Sequence, residues 1–344
     1  MAVNEPARPT LDDVARAAGV STATVSRCLN APDRVIARTR ERVMQAVSAL
    51  GYTPDFSGRA LASGRTNTVG AIIPTMENAI FARLLQSFQE TLSATGVTLL
   101  VASSGYDYDR EAEQIRALAG RGADGLLLIG SARPPATYEF LHRRGMPFVL
   151  AWSLGHTADH FVGFDNTSAA AAIAARVIAF GHRNIAMIAG VAAMNDRAAD
   201  RVDGVRIALR QANQDADAIP IIEAPYTFED GGVAFASLMQ RVPRPTAVIC
   251  GNDILAIGAI VRAKALGLRV PEDVSITGFD DIDIAACVEP PLTTVHVPHR
   301  RMGVAAAQQL LKLIAGDAVD EQIEFGTEVV ERNSLGPPPV EPTA

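Results

Sequence analysis

Short, almost continuously apolar segments recur along the chain from residue 68 onward, and helical periodicity follows most of them. The strands that they predict are Val69–Pro74, Thr98–Ala102, Gly125–Ile129, Phe148–Ala151, Phe161–Phe164, Ile185–Ala189, Ile221–Glu223, Ala247–Cys250 and Val274–Thr277. Strands that are apolar on both faces and alternate with helices indicate parallel sheets covered on both sides. Because residues 66–333 are too many for one such sheet, the sequence predicts two similar α/β subdomains that face each other across a cleft.

The loops that follow the strands are where a ligand of this region is expected to bind, because open parallel sheets bind ligands beyond the carboxyl ends of their strands. No catalytic pattern occurs there: no G-x-G-x-x-G opens a helix, and neither G-x-x-x-x-G-K-[ST] nor G-x-S-x-G is present. The sequence therefore predicts no catalytic residue and no cofactor.

Two clusters leave a metal as an alternative. His156 and His160 flank Asp159, although neither a clear helix nor a third ligand supports a metal site. Asp280, Asp281 and Asp283 follow a predicted strand and could hold a cation, but a carboxylate at a strand end equally suits a polyol hydroxyl. The favoured interpretation is that no metal binds.

The first 53 residues have a different pattern, which predicts three short helices. Thr10 and Asp13 form a capping-box pattern, and apolar residues then recur at helical spacing until Gly19. Ser21 is the predicted N-cap of a second helix, Thr22–Asn30, and a third helix is predicted from about Thr39 to Leu50. Two helices joined by a short turn that contains glycine are typical of the helix-turn-helix motif.

The second predicted helix presents short polar side chains and one arginine on its outer face, from Thr22 and Ala23 to Ser26 and Arg27. Such a face can approach base edges in the major groove, where arginine pairs with guanine. The distribution of charge supports DNA binding by this part of the chain. Residues 1–65 hold nine arginines and six acidic residues, although the whole chain has a net charge of −7. The alternative is a three-helix bundle whose basic surface has no partner.

These segments resemble the lactose-repressor/purine-repressor (LacI/GalR) family of bacterial transcription regulators. In the head, the resemblance rests on TLDDVARAAGVSTATVSRCLN and RTRERVMQAVSALGYTPDFSGRALASGRT. Farther along, segments such as VGFDNTSAA, NDRAADRVDGVRIAL and VICGNDILAIGAIV are similar to the family's periplasmic-binding-protein-like domain. The resemblance thus extends over nearly the whole chain.

The resemblance implies the DNA-binding positions. Thr22 and Ala23 correspond to the main base-reading residues, Arg27 to a further base or backbone contact, and Ser21, Thr24 and Ser26 to phosphate-side or capping positions. The family's hinge helix corresponds to the segment after Pro54, in which Arg59 and Leu61 are implied DNA contacts and Leu61 matches the leucine that enters the minor groove. Gly58 stands where the family usually has alanine, which lowers helix propensity; a flexible linker without DNA contact is the alternative.

The resemblance also implies a set of effector contacts in the cleft. They are Asn78, Phe81, Trp152, Asn195, Arg197, Arg201, Phe228, Asn252 and Asp280. Aromatic rings suit the flat face of a sugar or purine, whereas arginine and aspartate suit hydroxyl or carboxylate groups. Arg197, as a second arginine, also suits an acidic effector.

The predicted organisation has four parts: a helix-turn-helix head over 1–53, a hinge helix or linker over 54–65, an effector-binding and dimerisation domain over 66–333, and a disordered, proline-rich tail over 334–344. The expected function is a transcription regulator, with repression the family's commoner output, that binds a pseudo-palindromic operator as a homodimer or tetramer. A small effector, a sugar or other polar metabolite, is expected to set its affinity for double-stranded DNA.

Two other classes of protein share such a cleft. A solute-binding receptor would need a secretory signal, which Met1–Pro9 does not resemble, and it would not need the head. An enzyme would need a catalytic set, and none is found. The three widely spaced cysteines indicate thiols in a reducing cytoplasm, and no apolar run is long enough to cross a membrane. The expected location is therefore the cytoplasm.

Overall fold

The computed structural model describes residues 9–53, 65–155 and 159–339. The chain separates into two compact units, Met1–Thr66 and Asn67–Ala344. The predicted hinge positions Gly58, Arg59 and Leu61, as well as His156, lie outside the described residues.

The first unit contains three α-helices, α1 (Leu11–Ala18), α2 (Thr22–Asn30) and α3 (Ala37–Leu50), with a short 3-10 helix at Pro32–Arg34. The capping box is present: the Thr10 side chain accepts from the Asp13 backbone and the Asp13 side chain accepts from the Thr10 backbone. The first four N–H groups of a helix have no partner within the helix. Here the capping box supplies partners for two of them, those of Thr10 and Asp13.

Small apolar side chains form the core of this unit. Val14, Ala15 and Ala18 of α1 pack with Val25 of α2 and Val43 of α3, and all five are buried. Gly19 ends α1 with a φ of 60°, a left-handed conformation that favours glycine and turns the chain into α2. The observed arrangement is the predicted helix-turn-helix, with α3 beginning two residues before the predicted start.

The second unit contains two parallel sheets, each at the centre of one subdomain. The first subdomain is built on six parallel strands in the order β11-β5-β4-β3-β1-β2. Their bounds are β1 Thr68–Ile73, β2 Thr98–Ser103, β3 Gly125–Ile129, β4 Phe148–Ala151, β5 Phe161–Gly163 and β11 Gln322–Glu324. Four of these, β1, β3, β4 and β5, are almost entirely buried, which explains their continuous apolar sequences.

The second subdomain is built on four parallel strands in the order β7-β6-β8-β9. Their bounds are β6 Ile185–Gly190, β7 Ile221–Ala224, β8 Ala247–Cys250 and β9 Ser275–Thr277. A separate antiparallel pair joins β10 (Thr294–His296) to β12 (Glu328–Val330). The chain returns from this region to the first sheet through β11, a connection that the strand pattern alone did not predict.

Helices cover both faces of the two sheets, as the alternating pattern predicts. They are α4 (Ala79–Ser93), α5 (Tyr108–Gly120), α6 (Pro135–Arg143), α7 (Asn166–Ala179), α8 (Asp196–Gln211), α9 (Phe228–Met239), α10 (Asp253–Ala265) and α11 (His299–Ala315). In the first subdomain α4 packs against α11, and in the second α7 packs against α8 and α9 against α10. None of the helices in the described part of the chain combines the length and apolar character needed to cross a bilayer.

The beginning of the proline-rich tail is packed against the second subdomain, so the prediction that disorder starts at residue 334 is wrong. Ser334 is fully buried: its hydroxyl donates to the Ile276 carbonyl and accepts from the Thr293 backbone N–H. Leu335 belongs to the main apolar core. The prediction failed because a serine and a leucine ahead of the prolines complete the edge of β9.

Candidate functional site

A small, largely enclosed cavity lies between the two subdomains, beyond the carboxyl ends of their strands. Eight of the nine predicted effector contacts line it: Asn78, Phe81, Trp152, Asn195, Arg197, Arg201, Asn252 and Asp280. All eight are at most 7% exposed. The strand-end rule for parallel sheets therefore locates the cavity correctly.

The first subdomain supplies an amide and two aromatic rings. Asn78 is the N-cap of α4: its side-chain oxygen accepts from the Ile80 backbone N–H, which turns its Nδ2 group away from the helix start. Phe81 and Trp152 pack edge to face, with ring centroids 5.1 Å apart. Together these side chains make an apolar wall with two polar groups, the Asn78 amide and the Trp152 indole N–H.

The second subdomain supplies the charged groups. Arg201 of α8 donates from Nε to the Asn166 side chain at 3.0 Å and from one terminal nitrogen to the Gly251 carbonyl at 2.7 Å. Its guanidinium also lies 3.8 Å from the centre of the Phe279 ring. These contacts fix the guanidinium, and its other terminal nitrogen lies 3.6 Å from the Asp280 carboxylate.

Two asparagines complete the polar side of the cavity. Asn252 caps α10 by accepting from the Leu255 backbone N–H at 2.9 Å. Asn195 donates from Nδ2 to the Tyr226 hydroxyl at 3.1 Å, and its side-chain oxygen then remains for another donor.

Five buried polar atoms around this cavity have no hydrogen-bond partner among the residues that the structure describes. They are Asn78 Nδ2, Trp152 Nε1, Asn195 Oδ1 and both carboxylate oxygens of Asp280. A buried polar atom without a partner costs about 1–3 kcal/mol, so a cluster of them in one cavity is unusual. A ligand with hydrogen-bonding groups on both sides would satisfy them.

Burial governs the charge state of the cavity. It raises the pKa of Asp280 from 3.8 to about 6, although Arg201 and Arg197 act in the opposite direction. Burial also raises the pKa of the Tyr106 and Tyr226 hydroxyls, which therefore stay protonated at neutral pH and can donate hydrogen bonds.

Three residues of the cavity wall have a left-handed backbone: Tyr106 (φ 58°), Trp152 (φ 68°) and Asp280 (φ 103°). Such conformations cost side-chain-bearing residues free energy and concentrate at functional sites. Asp280 is held in this conformation by a hydrogen bond from its backbone N–H to the Val295 carbonyl, at 2.9 Å.

Phe228 is the one predicted effector contact that does not line the cavity. It is the first residue of α9, and its side chain is 47% exposed. Tyr226, two residues earlier, lines the cavity instead, as does Tyr106, and their ring centroids are 6.1 Å apart. Both tyrosines follow strands, β7 and β2, so the strand-end rule that located the cavity could have found them.

The two clusters considered for a metal are otherwise engaged. Asp159 lies 2.8 Å from His142, and His160 contacts the Asp320 carbonyl. Asp281 pairs with Arg332 and with His296, and Asp283 pairs with Arg83. Across residues 9–53, 65–155 and 159–339, no group of three or more His, Cys, Asp and Glu side chains is arranged to hold a metal ion.

In the head, the predicted DNA-reading residues share the outer face of α2. Thr22, Ala23 and Arg27 are exposed, and Ser26 is half-buried. Ser21 caps the helix: its hydroxyl oxygen accepts from the Thr24 backbone N–H at 3.2 Å. The buried side of the same helix holds Val25, so the two faces are separated as a groove-binding helix requires.

Family models match both units. Residues 10–55 match the model described as bacterial regulatory proteins, lacI family, and residues 174–335 match a periplasmic binding protein-like domain. The HTH-type transcriptional repressor PurR of Vibrio atlanticus (strain LGP32) is 34% identical over 333 residues, which are 95% of this chain and 98% of the relative. This chain belongs to the lacI family of bacterial regulatory proteins.

Solved structures of lacI-family regulators have the same fold. The transcriptional regulator CelR in complex with cellobiose is 32% identical, with a TM-score of 0.70, and the match covers 95% of this chain and 100% of that one. The lac repressor dimer bound to operator and the anti-inducer ONPF is 25% identical, with a TM-score of 0.83, and the match covers 95% and 99%. The lacI-family chain described here is therefore a helix-turn-helix transcription regulator and not an enzyme.

Proposed function

We propose that this chain is an allosteric repressor whose affinity for operator DNA is set by a small polyhydroxylated metabolite bound between the two subdomains. The observation that carries this proposal is the group of five unpaired, buried polar atoms in one cavity. Two of them are donors, on Asn78 and Trp152, and three are acceptors, on Asn195 and Asp280. Because a hydroxyl group can both donate and accept, several hydroxyls on one small ring satisfy this mixture best.

The shape and charge of the cavity support the same class of effector. Phe81 and Trp152 offer an aromatic, apolar wall to a ring, and the carboxylate of Asp280 can accept from two neighbouring hydroxyls. One similar regulator was solved in complex with cellobiose. A purine is the second ligand class to test, since its flat ring suits the same aromatic wall.

The head is proposed to read the major groove with α2. Thr22 and Ala23 would contact base edges, Arg27 a base or a phosphate, and Ser21, Thr24 and Ser26 the phosphate side. Arg59 and Leu61 are proposed to bind the minor groove when their segment meets DNA. Acting on DNA in this way, the protein is inferred to work in the cytoplasm.

A homodimer is proposed as the DNA-binding form, because one three-helix head reads too few base pairs for specific binding. The similar lac repressor structure is a dimer on its operator. In this chain β2 is the edge strand of the first sheet and exposes Leu100 and Val101. An apolar, unpaired edge of this kind is suited to covering by a second copy.

The single tryptophan of the chain gives a direct test of the effector site. Trp152 lines the cavity, so its fluorescence should change in a saturable way when the effector binds. The test titrates the purified protein with a panel of sugars, sugar acids, polyols and purine bases, with Asp280→Asn as the control variant. We expect one chemical class to produce a response that the variant loses; a panel without any response would contradict a polyhydroxylated or purine effector.

A further inference from the structure

The carboxylate of Asp196 connects the two subdomains at a point next to the cavity. Asp196 is the first residue of α8, in the second subdomain. Its Oδ2 atom accepts from the Ser131 backbone N–H at 2.6 Å, the Ser131 hydroxyl at 2.8 Å, the Ala132 backbone N–H at 3.2 Å and the Ser153 hydroxyl at 3.1 Å. Ser131 and Ala132 follow β3 and Ser153 follows β4, so all four donors belong to the first subdomain.

The other carboxylate oxygen of Asp196 holds an arginine of the cavity wall. Oδ1 accepts from the Arg197 backbone N–H at 3.0 Å and from its guanidinium at 2.7 Å. The guanidinium also lies against Gly130, just after the end of β3. A Cβ atom built on residue 130 would be only 1.9 Å from it. Only a glycine at residue 130, where φ is 75°, leaves room for this approach.

The cluster consists of Asp196, Arg197, Ser131, Ala132 and Ser153. In it, the negative charge of Asp196 is paired with the positive charge of Arg197 and with hydrogen-bond donors. Burial opposes ionisation of Asp196, but the neighbouring Arg197 and the hydrogen bonds from Ser131 and Ala132 lower its pKa to about 2. The carboxylate is therefore charged at any physiological pH, and each of its hydrogen bonds is charge-assisted. The contact between the subdomains is accordingly independent of pH in that range.

Asp200, one turn farther along α8, is a natural control. It carries the same charge on the same helix, but burial and the nearby Asp196 and Asp203 raise its pKa to about 6. In the described part of the chain no hydrogen bond or ion pair is seen from Asp200 to the first subdomain. Replacing each aspartate by asparagine makes the same chemical change, and only the change at Asp196 removes a bridging anion.

We propose that Asp196 is a positioning residue for the effector site: it joins the loops after β3 and β4 to α8 and orients Arg197 along the cavity wall. This carboxylate then holds the closed form of the cleft next to the cavity, in addition to the ion pair of Arg83 with Asp283. Its consequence for effector affinity rests on the proposed function, whereas its consequence for cleft closure does not. Asp196 is thus assigned no contact with the effector and acts through Arg197 and through the distance between the subdomains.

Acrylamide quenching of tryptophan fluorescence measures this closure without any effector. The chain has one tryptophan, Trp152, which is 1% exposed and lies in the cavity wall. We expect Asp196→Asn to raise the Stern–Volmer quenching constant at least threefold, and the double variant Ser131→Ala/Ser153→Ala to raise it by a smaller factor. Asp200→Asn should match the wild-type protein.

Hydrogen exchange gives the second readout, because two of the four donors are backbone amides. In Asp196→Asn the Ser131 and Ala132 amides should exchange at least ten times faster, while amides of β6 should keep their protection. If Asp196→Asn does not fold, the double serine variant decides the question, since it keeps the carboxylate and its arginine. Unchanged quenching and unchanged exchange in the folded variants would overturn the proposal.

The two proposals fail in different ways. If no compound of the panel binds, quenching of Trp152 in Asp196→Asn still reports on closure. If a compound binds, we expect Asp196→Asn to weaken its affinity at least tenfold and Asp200→Asn to leave its affinity unchanged. Equal affinity in all three proteins, together with increased quenching, would show that the cleft opens without any effect on the effector and would overturn the positioning role.

Discussion

The side chains of Arg201 and Asp280 face each other at 3.6 Å inside the cleft. Of the two side chains, only that of the arginine makes hydrogen bonds to described residues. Asn166 and Gly251 hold the guanidinium, whereas both Asp280 oxygens lack a partner in the described part of the chain. The arginine is thus already organised, and the aspartate is available for a ligand. A buried pair in this state costs the unliganded protein stability that an effector can restore.

The first prediction concerns the pH dependence of stability. The pKa of Asp280 is about 6 in the folded protein and 3.8 when exposed, because burial disfavours its charged form. An acid whose folded pKa is raised costs stability as pH increases, here between about pH 4 and pH 6, by roughly 3 kcal/mol in total. Asp280→Asn should remove this component of the pH dependence.

The measurement is urea unfolding of both proteins at pH 4.0 and pH 7.5. The variant should gain stability relative to the wild-type protein as pH rises, since other carboxylates titrate equally in the two. If the difference in unfolding free energy between the two proteins is the same at both pH values, Asp280 does not titrate as the structure indicates.

The second prediction compares two aromatic residues, Tyr226 and Phe228, that are two positions apart in the chain. Tyr226 lines the cavity and Phe228 does not, so Tyr226→Ala should weaken effector binding at least tenfold, about 1.4 kcal/mol. Phe228→Ala should leave affinity unchanged. Trp152 fluorescence titrations with the compound identified by the panel compare the two variants, and a larger loss for Phe228→Ala would place the effector elsewhere.

The third prediction tests whether the start of the tail is structural. Leu335 is 6% exposed and belongs to the core of the second unit. Leu335→Ala should lower the free energy of unfolding by about 2–5 kcal/mol, the usual cost of truncating a buried leucine. Val242→Ala is the matched control, because Val242 is 97% exposed. Chemical denaturation that finds both variants equally stable would show that the tail contributes nothing to the core.

The fourth prediction concerns the first helix of the head. Thr10→Ala removes the hydroxyl that accepts from the Asp13 backbone N–H, and this should destabilise α1 by about 1 kcal/mol. Hydrogen exchange of the amides in Leu11–Ala18 measures the effect. Ser48→Ala, an exposed position of α3, should leave those amides unchanged. Equal exchange in Thr10→Ala and the wild-type protein would show that the capping box is dispensable.

The strands and the three helices of the head were predictable because their signals are local. Continuous apolar runs gave strands such as β3 and β8 with their observed bounds, and Thr10, Gly19 and Ser21 marked the helix ends by their own chemistry. The segment EQIEFGTEVVER, which contains β11, has a strand-like sequence, but its pairing with β5 of the first sheet was not predictable, since no local pattern reveals a contact between distant strands.

The cleft was predictable only in part. Its location followed from the topology, but the Asp196 cluster joins residues 65 positions apart, which no local pattern reveals. Tyr106 and Tyr226 follow strands but are not among the contacts that the family resemblance implies, since that resemblance points to Phe228 instead. The start of the tail was predicted wrongly because composition describes a segment as a whole, whereas Ser334 and Leu335 are individually buried against the second subdomain.

Selection of bound duplexes from a random DNA pool, with purified protein at moderate salt, is the direct test of whether this chain is an effector-controlled repressor. We expect an enriched pseudo-palindrome that is lost in Thr22→Asp and retained in Asn213→Asp, which adds the same charge outside the head. The enrichment should also change when the compound that alters Trp152 fluorescence is present. Folded protein that enriches no sequence, with or without that compound, would contradict the assignment of this chain as an effector-controlled repressor.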